Sequence, residues 1–211
     1  MNNFHRFINL PFTIDKPKIF DTLKMPHWST ESYRLFELEK QHVDTRILEW
    51  LDNWNISASQ SIEGFYTAPN NGSIGIHSDT DTLTDMAKLI FVWGPENSYT
   101  RWYEPKIDAI SSKKMRPDQE GPQAEKNLNS DTYISELEQQ DRVLCYEEKN
   151  CDLLYEKKIA NQTSIINAGR LHSVFNYGSE GRWGLSFILM KNKKIIQFRE
   201  ALEIFKDITY E

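Results

Sequence analysis

Gly75-Ile76-His77-Ser78-Asp79 is the stretch on which the reading of this 211-residue chain turns. Successive side chains of a β-strand alternate between faces, so His77 and Asp79 share one face while Ile74, Ile76 and Ser78 take the other. A neutral imidazole beside a carboxylate suits Fe(II), Mn(II) or Zn(II), and one further histidine completes a three-ligand set with positions left open for chemistry. Alone, His-x-Asp is also what a polar surface loop carries. The rest of the chain has to decide.

Working outward, Asn70-Asn71-Gly72 is turn chemistry, because Asn and Gly tolerate positive φ, and it joins a strand over 61–69 to the strand bearing His77 as an expected hairpin. Residues 88–94, K-L-I-F-V-W-G, are an apolar, branched and aromatic run expected of a central buried strand. Another strand is expected over 99–103. Residues 105–131 are polar, carry Pro105, Pro117 and Pro122, and read as a long loop or lid. A short helix over 132–140 precedes an expected hairpin of 142–147 with 153–159, which would bring Cys145 and Cys151 opposite each other. Two thiols with no secretory leader before them read as reduced and receive no function. Strands over 164–167, 171–176 and 182–190 follow.

In front of the barrel-like part, residues 4–13 look like an edge strand, the position that tolerates Pro11. Ser29 or Thr30 with Glu31 gives helix-start chemistry, and Leu35, Leu38, Val43, Ile47, Leu51 and Trp54 recur at helical spacing, so one or two amphipathic helices are expected there. His27 is a candidate for a pocket wall or a cap. His5 and His42 read as surface residues.

Composition bounds the function. The profile is that of a globular chain, and no apolar run approaches the roughly 20 residues that span a bilayer. The N-terminus lacks a basic region followed by an apolar stretch, so the cytoplasm is the expected compartment. A net charge of −6 argues against a nucleic-acid partner, and Lys113, Lys114 and Arg116 form too short a basic block to reverse that. One domain over 1–211 is expected: an N-terminal strand and helices over 1–60, a barrel over 61–190, and a C-terminal helix over 191–211.

The distal segment supplies the missing parts. The strand over 171–176 brings His172. In R-W-G-L-S-F-I-L-M over 182–190, Trp183, Leu185, Phe187 and Leu189 alternate with Arg182, Gly184, Ser186 and Ile188. A cation beside small residues on a buried face implies room for an anionic ligand, unless Arg182 merely begins the strand at its solvent end. His77, Asp79, His172 and Arg182 ten residues later resemble the 2-oxoglutarate/Fe(II)-dependent oxygenase family, whose pattern is His-x-Asp/Glu, a long interval, a distal His, and an Arg about ten residues on. The segment H-S-V-F-N-Y-G-S-E-G-R, with Asn176 four after the histidine, is similar to the prolyl and aspartyl/asparaginyl hydroxylase branches.

That resemblance implies a mainly β fold, a double-stranded β-helix or cupin-like jelly roll, with the N-terminal helices packed on the larger sheet. On it, Ile74 and Ile76 face the helices while Ser73 and Gly75 face the interior. It implies His77, Asp79 and His172 as ligands of Fe(II), 2-oxoglutarate as co-substrate with dioxygen, and ascorbate as a reductant. Arg182 then clamps the distal carboxylate of 2-oxoglutarate. The family often places a Ser two after the Arg; here that position is Gly184, and Ser186, one pleat further on, is the weaker donor. Tyr66 and Asn176 are further cofactor-binding candidates, Tyr66 also reading as core and Asn176 as a residue orienting the loop. Arg101, Trp102 and Tyr103 are candidates for the mouth or for packing, and Asn167 for turn chemistry. The implied reaction is hydroxylation of a C–H bond in an amino acid or protein side chain, releasing succinate and carbon dioxide. The alternative is a cupin-like metal-dependent binding protein or isomerase without oxygen chemistry, although such a protein has no need of Arg182. Oligomeric state and the particular substrate stay open.

Overall fold

The computed structural model describes residues 3–22, 33–80, 85–109, 112–115 and 142–211. Its elements begin with β1 (His5–Ile8), α1 (Ile19–Thr22), β2 (Tyr33–Leu38), α2 (Thr45–Asn53), β3 (Ser57–Thr67) and β4 (Gly72–Ser78). There follow β5 (Ala87–Trp93), β6 (Ser98–Pro105), β7 (Ser112–Met115), β8 (Arg142–Cys145) and β9 (Cys151–Lys157). The chain ends with β10 (Thr163–Asn167), β11 (His172–Asn176), β12 (Arg182–Lys191), β13 (Lys194–Ile195), α3 (Phe198–Ile204) and β14 (Thr209–Tyr210).

Period-two alternation builds two layers. On β12, Leu185, Phe187 and Leu189, with Trp183 packed against them, join the apolar layer beneath the helices, whereas Arg182, Ser186 and Ile188 face the space between two sheets. The larger sheet runs β14-β1-β10-β5-β12-β3-β2 with β13 beside β12, and the smaller runs β7-β8-β4-β11-β6-β9. Following the chain, β3, β5, β10 and β12 fall in the larger sheet, and β4, β6, β9 and β11 in the smaller. This winding of one chain between two antiparallel sheets is a jelly roll.

The helices cover the outer face of the larger sheet, α2 against β3 and α3 against β5 and β10. Helix α2 starts at Asp44, whose carboxylate accepts the Arg46 backbone N–H at 3.0 Å. It buries Ile47, Trp50 and Leu51, and Trp50 stacks on Phe205 with ring centroids 5.2 Å apart. Between the sheets, Phe7, Val92, Trp102, Ile159 and Ile188 form a second apolar cluster, and beside it a cavity of about 340 Å³ is left. Among the described residues no helix is long and apolar enough to cross a membrane.

Several expectations are corrected by this architecture. Strand β1 is not an edge: β10 pairs on one side and β14 on the other, and it ends before Pro11. Leu35 and Leu38 lie on β2, where period two places Tyr33 and Leu35 at the cavity and Phe36 and Leu38 in the helix layer. The turn at Asn70 and Asn71 forms with φ of 55° and 78°, but it carries the chain from one sheet to the other instead of closing a hairpin. Likewise β8 and β9 do not pair. Strands β4, β11 and β6 lie between them, so Cys145 and Cys151 are not opposite each other and form no disulfide. Part of the expected lid, Ser112–Met115, is strand β7 paired with β8. His5 is buried, not exposed. The C-terminal segment holds β13 and β14 as well as a helix. His27, Ser29 to Glu31, Arg116 and the helix expected over 132–140 lie outside the described residues, as does most of 105–131.

Candidate functional site

Antiparallel pairing of β4 with β11 sets His77 directly opposite His172. Cross-strand partners share a face, and the two rings stand 4.4 Å apart between centroids. Between His172/His77 and Val174/Ile74 the register shifts, three residues of β4 spanning two of β11. This bulge rephases the strand, so Ile74 lines the same cavity as His77 and Asp79, and the expectation that it faces the helices fails. Ile76 packs with Tyr103, Cys151 and Leu171 in the smaller sheet, away from the helices. Gly75 is exposed, and a Cβ there would meet nothing within 4 Å, so no crowding explains it.

The end of β4 is tied to the approach to β11. Asp79 N–H donates to Ala168 O at 3.0 Å, Ser78 Oγ donates to Gly169 O at 3.0 Å, and Arg170 pairs with Asp85 at 2.9 Å. Each histidine gives its Nδ1–H to a carbonyl two residues back, His77 to Gly75 at 2.8 Å and His172 to Arg170 at 2.9 Å. A carbonyl only accepts, so Nδ1 carries a proton in each ring. One ligand atom from each of His77, Asp79 and His172 lies within 4.8 Å of the others. The Asp79 Oδ1 atom is 3.4 Å from His77 Nε2. Burial, followed by the neighbouring His77, pushes His172 down to about 4, so it is neutral at pH 7. Burial alone would raise the Asp79 carboxyl, but Lys88 and the two histidines hold it well below the usual carboxylate range. Two imidazoles and one carboxylate are a donor set for a divalent transition metal.

Arg182 opens β12 in the same cavity, 1% exposed. Among the described residues, its Nη2 reaches Thr100 Oγ1 only at 3.5 Å, and Nε and Nη1 have no hydrogen-bond partner. The hydroxyls of Thr67 and Ser186 are likewise buried without partners among the described residues. Burial pulls the guanidinium down to about 9, still a cation at neutral pH. A buried cation with unused N–H groups beside unused hydroxyls is costly unless an anion completes it, so the group fits a carboxylate end. The absence of a Ser at Gly184 has a steric cause: a Cβ there would come within 2.0 Å of the Phe65 ring.

Tyr66 does not reach this cavity. It pairs with Trp183 on the outer face of β3 and β12, ring centroids 4.6 Å apart, while its neighbours Glu63 and Phe65 face inward. Asn176 is spent on structure: Nδ2 donates to the carbonyls of Thr67, Ala68 and Glu180, and Oδ1 accepts from Gly178 N–H. It pins the end of β3 to the loop after β11, which is the orienting role. Asn167 joins Met86, Asp85 and Asn3, doing more than turn chemistry. Trp102 is fully buried core, and Tyr103 bonds Ser173 at 3.0 Å. Arg101 leaves the mouth altogether, pairing with Glu156 and lying over Phe175.

Thr67, Thr100, Glu63 and Lys88 were not singled out from the sequence. Lys88 carried a signal, since a lysine inside an otherwise apolar central strand needs a partner. Glu63 is that partner at 2.5 Å.

No protein family and no curated protein matches the sequence. Among solved structures, the chain is similar to HygX from Streptomyces hygroscopicus with nickel and 2-oxoglutarate bound, at 9% identity and a TM-score of 0.41, over 82% of this chain and 76% of that one. It is similar to an oxalate oxidase at 12% identity and a TM-score of 0.37, over 96% and 88%. A third similar structure, E. coli ycfD, has 12% identity and a TM-score of 0.38, over 97% of this chain and 45% of that one. At these identities and TM-scores nothing about function is carried over from them.

Proposed function

We propose that the chain is a non-haem Fe(II) and 2-oxoglutarate-dependent dioxygenase that hydroxylates a C–H bond of an amino acid or protein side chain and releases succinate and carbon dioxide. One observation carries the reading: a buried arginine with unused N–H groups lines the same cavity as the His77, Asp79 and His172 cluster. A metal-binding or isomerase barrel acting on a neutral ligand has no use for that cation. Held by these residues, Fe(II) and 2-oxoglutarate would supply the oxidising chemistry, with dioxygen as oxidant, that an unactivated C–H bond requires.

The chain's own residues then have defined tasks. His77 and His172 present Nε2 and Asp79 presents Oδ1 to the metal. Arg182, with Thr67, Thr100 and Ser186, holds the distal carboxylate by charge-assisted hydrogen bonds. Leu35, Phe65, Ile74 and Val174 form apolar walls that keep water from the reacting face. The substrate class rests on the likeness of the segment around His172 to amino-acid and protein hydroxylases.

The direct test is succinate release from 2-oxoglutarate with Fe(II) and ascorbate, alone and with amino acids or peptides. Slow uncoupled release, raised by a substrate, supports the proposal. Metal binding with no succinate under any condition overturns it in favour of the cupin-like alternative.

A further inference from the structure

Lys88 reaches from the larger sheet across the interior to the end of the smaller one. Its Nζ lies 2.5 Å from Glu63 Oε2 and 2.8 Å from Asp79 Oδ2, and its side chain is only 5% exposed. The two oxygens of Asp79 are thereby distinguished: Oδ2 meets the lysine, while Oδ1 is the one beside His77 Nε2. A carboxylate free to rotate about its terminal bond would exchange those oxygens or turn both to a metal. Held by an ammonium on one side, it offers a single oxygen in one direction.

Charge makes the third residue necessary. A lone lysine beside Asp79 would cancel the carboxylate's charge and repel a dication, as Coulomb energies at this range are large away from water. Glu63 sits on β3, two strands away from β5, with Ser186 of β12 opposite it. It brings a second negative charge to the same ammonium. The group Glu63, Lys88 and Asp79 therefore keeps one net negative charge, and the lysine steers Asp79 without spending the charge that attracts the metal.

We propose that Lys88 and Glu63 are positioning residues of the metal centre, Lys88 fixing the orientation of Asp79 and Glu63 neutralising Lys88. The proposal rests on reading His77, Asp79 and His172 as metal ligands. Neither residue belongs to the cluster of candidate ligand atoms, which His77, Asp79 and His172 form among the described residues. Groups that orient a metal ligand from behind typically change metal affinity by roughly 10–100-fold when removed.

The test is calorimetric titration of Mn(II), without 2-oxoglutarate, into metal-stripped wild-type protein and into Lys88→Met, Glu63→Gln, the double variant and His77→Ala. Circular dichroism and thermal melts of the metal-free proteins identify those that fold. The expected result is about tenfold or greater weakening in Lys88→Met and in Glu63→Gln. The double variant, with no bare cation beside Asp79, binds more tightly than Glu63→Gln alone. Lys88→Arg, which keeps a donor and a charge, recovers part of the loss, which a merely structural defect would not do. Should Lys88→Met fail to fold, Glu63→Gln, which keeps the lysine, carries the test. Folded variants with wild-type Mn(II) affinity overturn the proposal, and a subsequent titration of the Mn(II)-loaded proteins with 2-oxoglutarate that shows the only loss would make Lys88 a co-substrate contact instead. A wild-type protein that binds no Mn(II), or a His77→Ala variant that binds as well as wild type, overturns the metal site itself and is thereby distinguished from failure of this proposal alone.

Discussion

At the scale of single residues, the site is set by which proton each buried group keeps. His77 and His172 each hold a proton on Nδ1 against a backbone carbonyl, and burial keeps His172 neutral. His5 shows the same physics away from the site: burial, then Lys157 and Arg6, push it down to about 3, and its Nε2 lies 3.2 Å from Ser164 Oγ. The folded state keeps His5 neutral while the unfolded chain takes up a proton near its ordinary value of 6.5. Stability from this group is therefore complete above 6.5 and is lost as pH falls from there toward 3. Between pH 7 and pH 5 the loss is roughly 2 kcal/mol for one such histidine. Denaturant unfolding of metal-free protein at the two pH values should show it, and His5→Asn, which has no proton to gain, should show a smaller drop. An equal drop in both proteins would refute the assignment.

At the scale of elements, close approaches decide what each strand can carry. The Phe65 ring of β3 covers Gly184 of β12, its cross-strand partner. Gly184→Ser should cost about 1–3 kcal/mol by overpacking. In a Phe65→Ala background the cost should shrink, because the ring that meets the new side chain is gone, and a double-mutant cycle of unfolding free energies measures the coupling. Additive effects would show that the two residues do not meet. Local pattern was legible where one period fitted alone, as on β5 and β12 and over the second half of the helical stretch, which became α2. It misled on β2, because Leu35 and Leu38 satisfy a helical spacing while Tyr33, Leu35 and Phe36, Leu38 also satisfy period two. Pairing with β3 settles that choice, and a partner strand is not visible in a local window. The same holds for the bulge in β4, which brings Ile74 to the cavity wall.

At the scale of the whole molecule, the candidate residues were readable and the crossings were not. His77, Asp79, His172 and Arg182 stand out because their residue types are costly to bury without a purpose. The turn residues Asn70 and Asn71 announce a reversal without saying whether the next strand pairs back or crosses to the other sheet. Glu63 was hidden for a related reason: it looks ordinary until the winding of β3, β5 and β4 brings it to Lys88 beside Asp79. The central claim is that two sheets bring a metal triad and an anion-holding arginine into one cavity. Anaerobic calorimetry of 2-oxoglutarate binding, with Fe(II)-loaded and metal-free protein, tests it most directly. The account predicts binding that requires the metal and weakens at least about tenfold in Arg182→Met, as expected when a charge-assisted pair is lost. Binding that is indifferent to the metal, or unchanged in Arg182→Met, would contradict it.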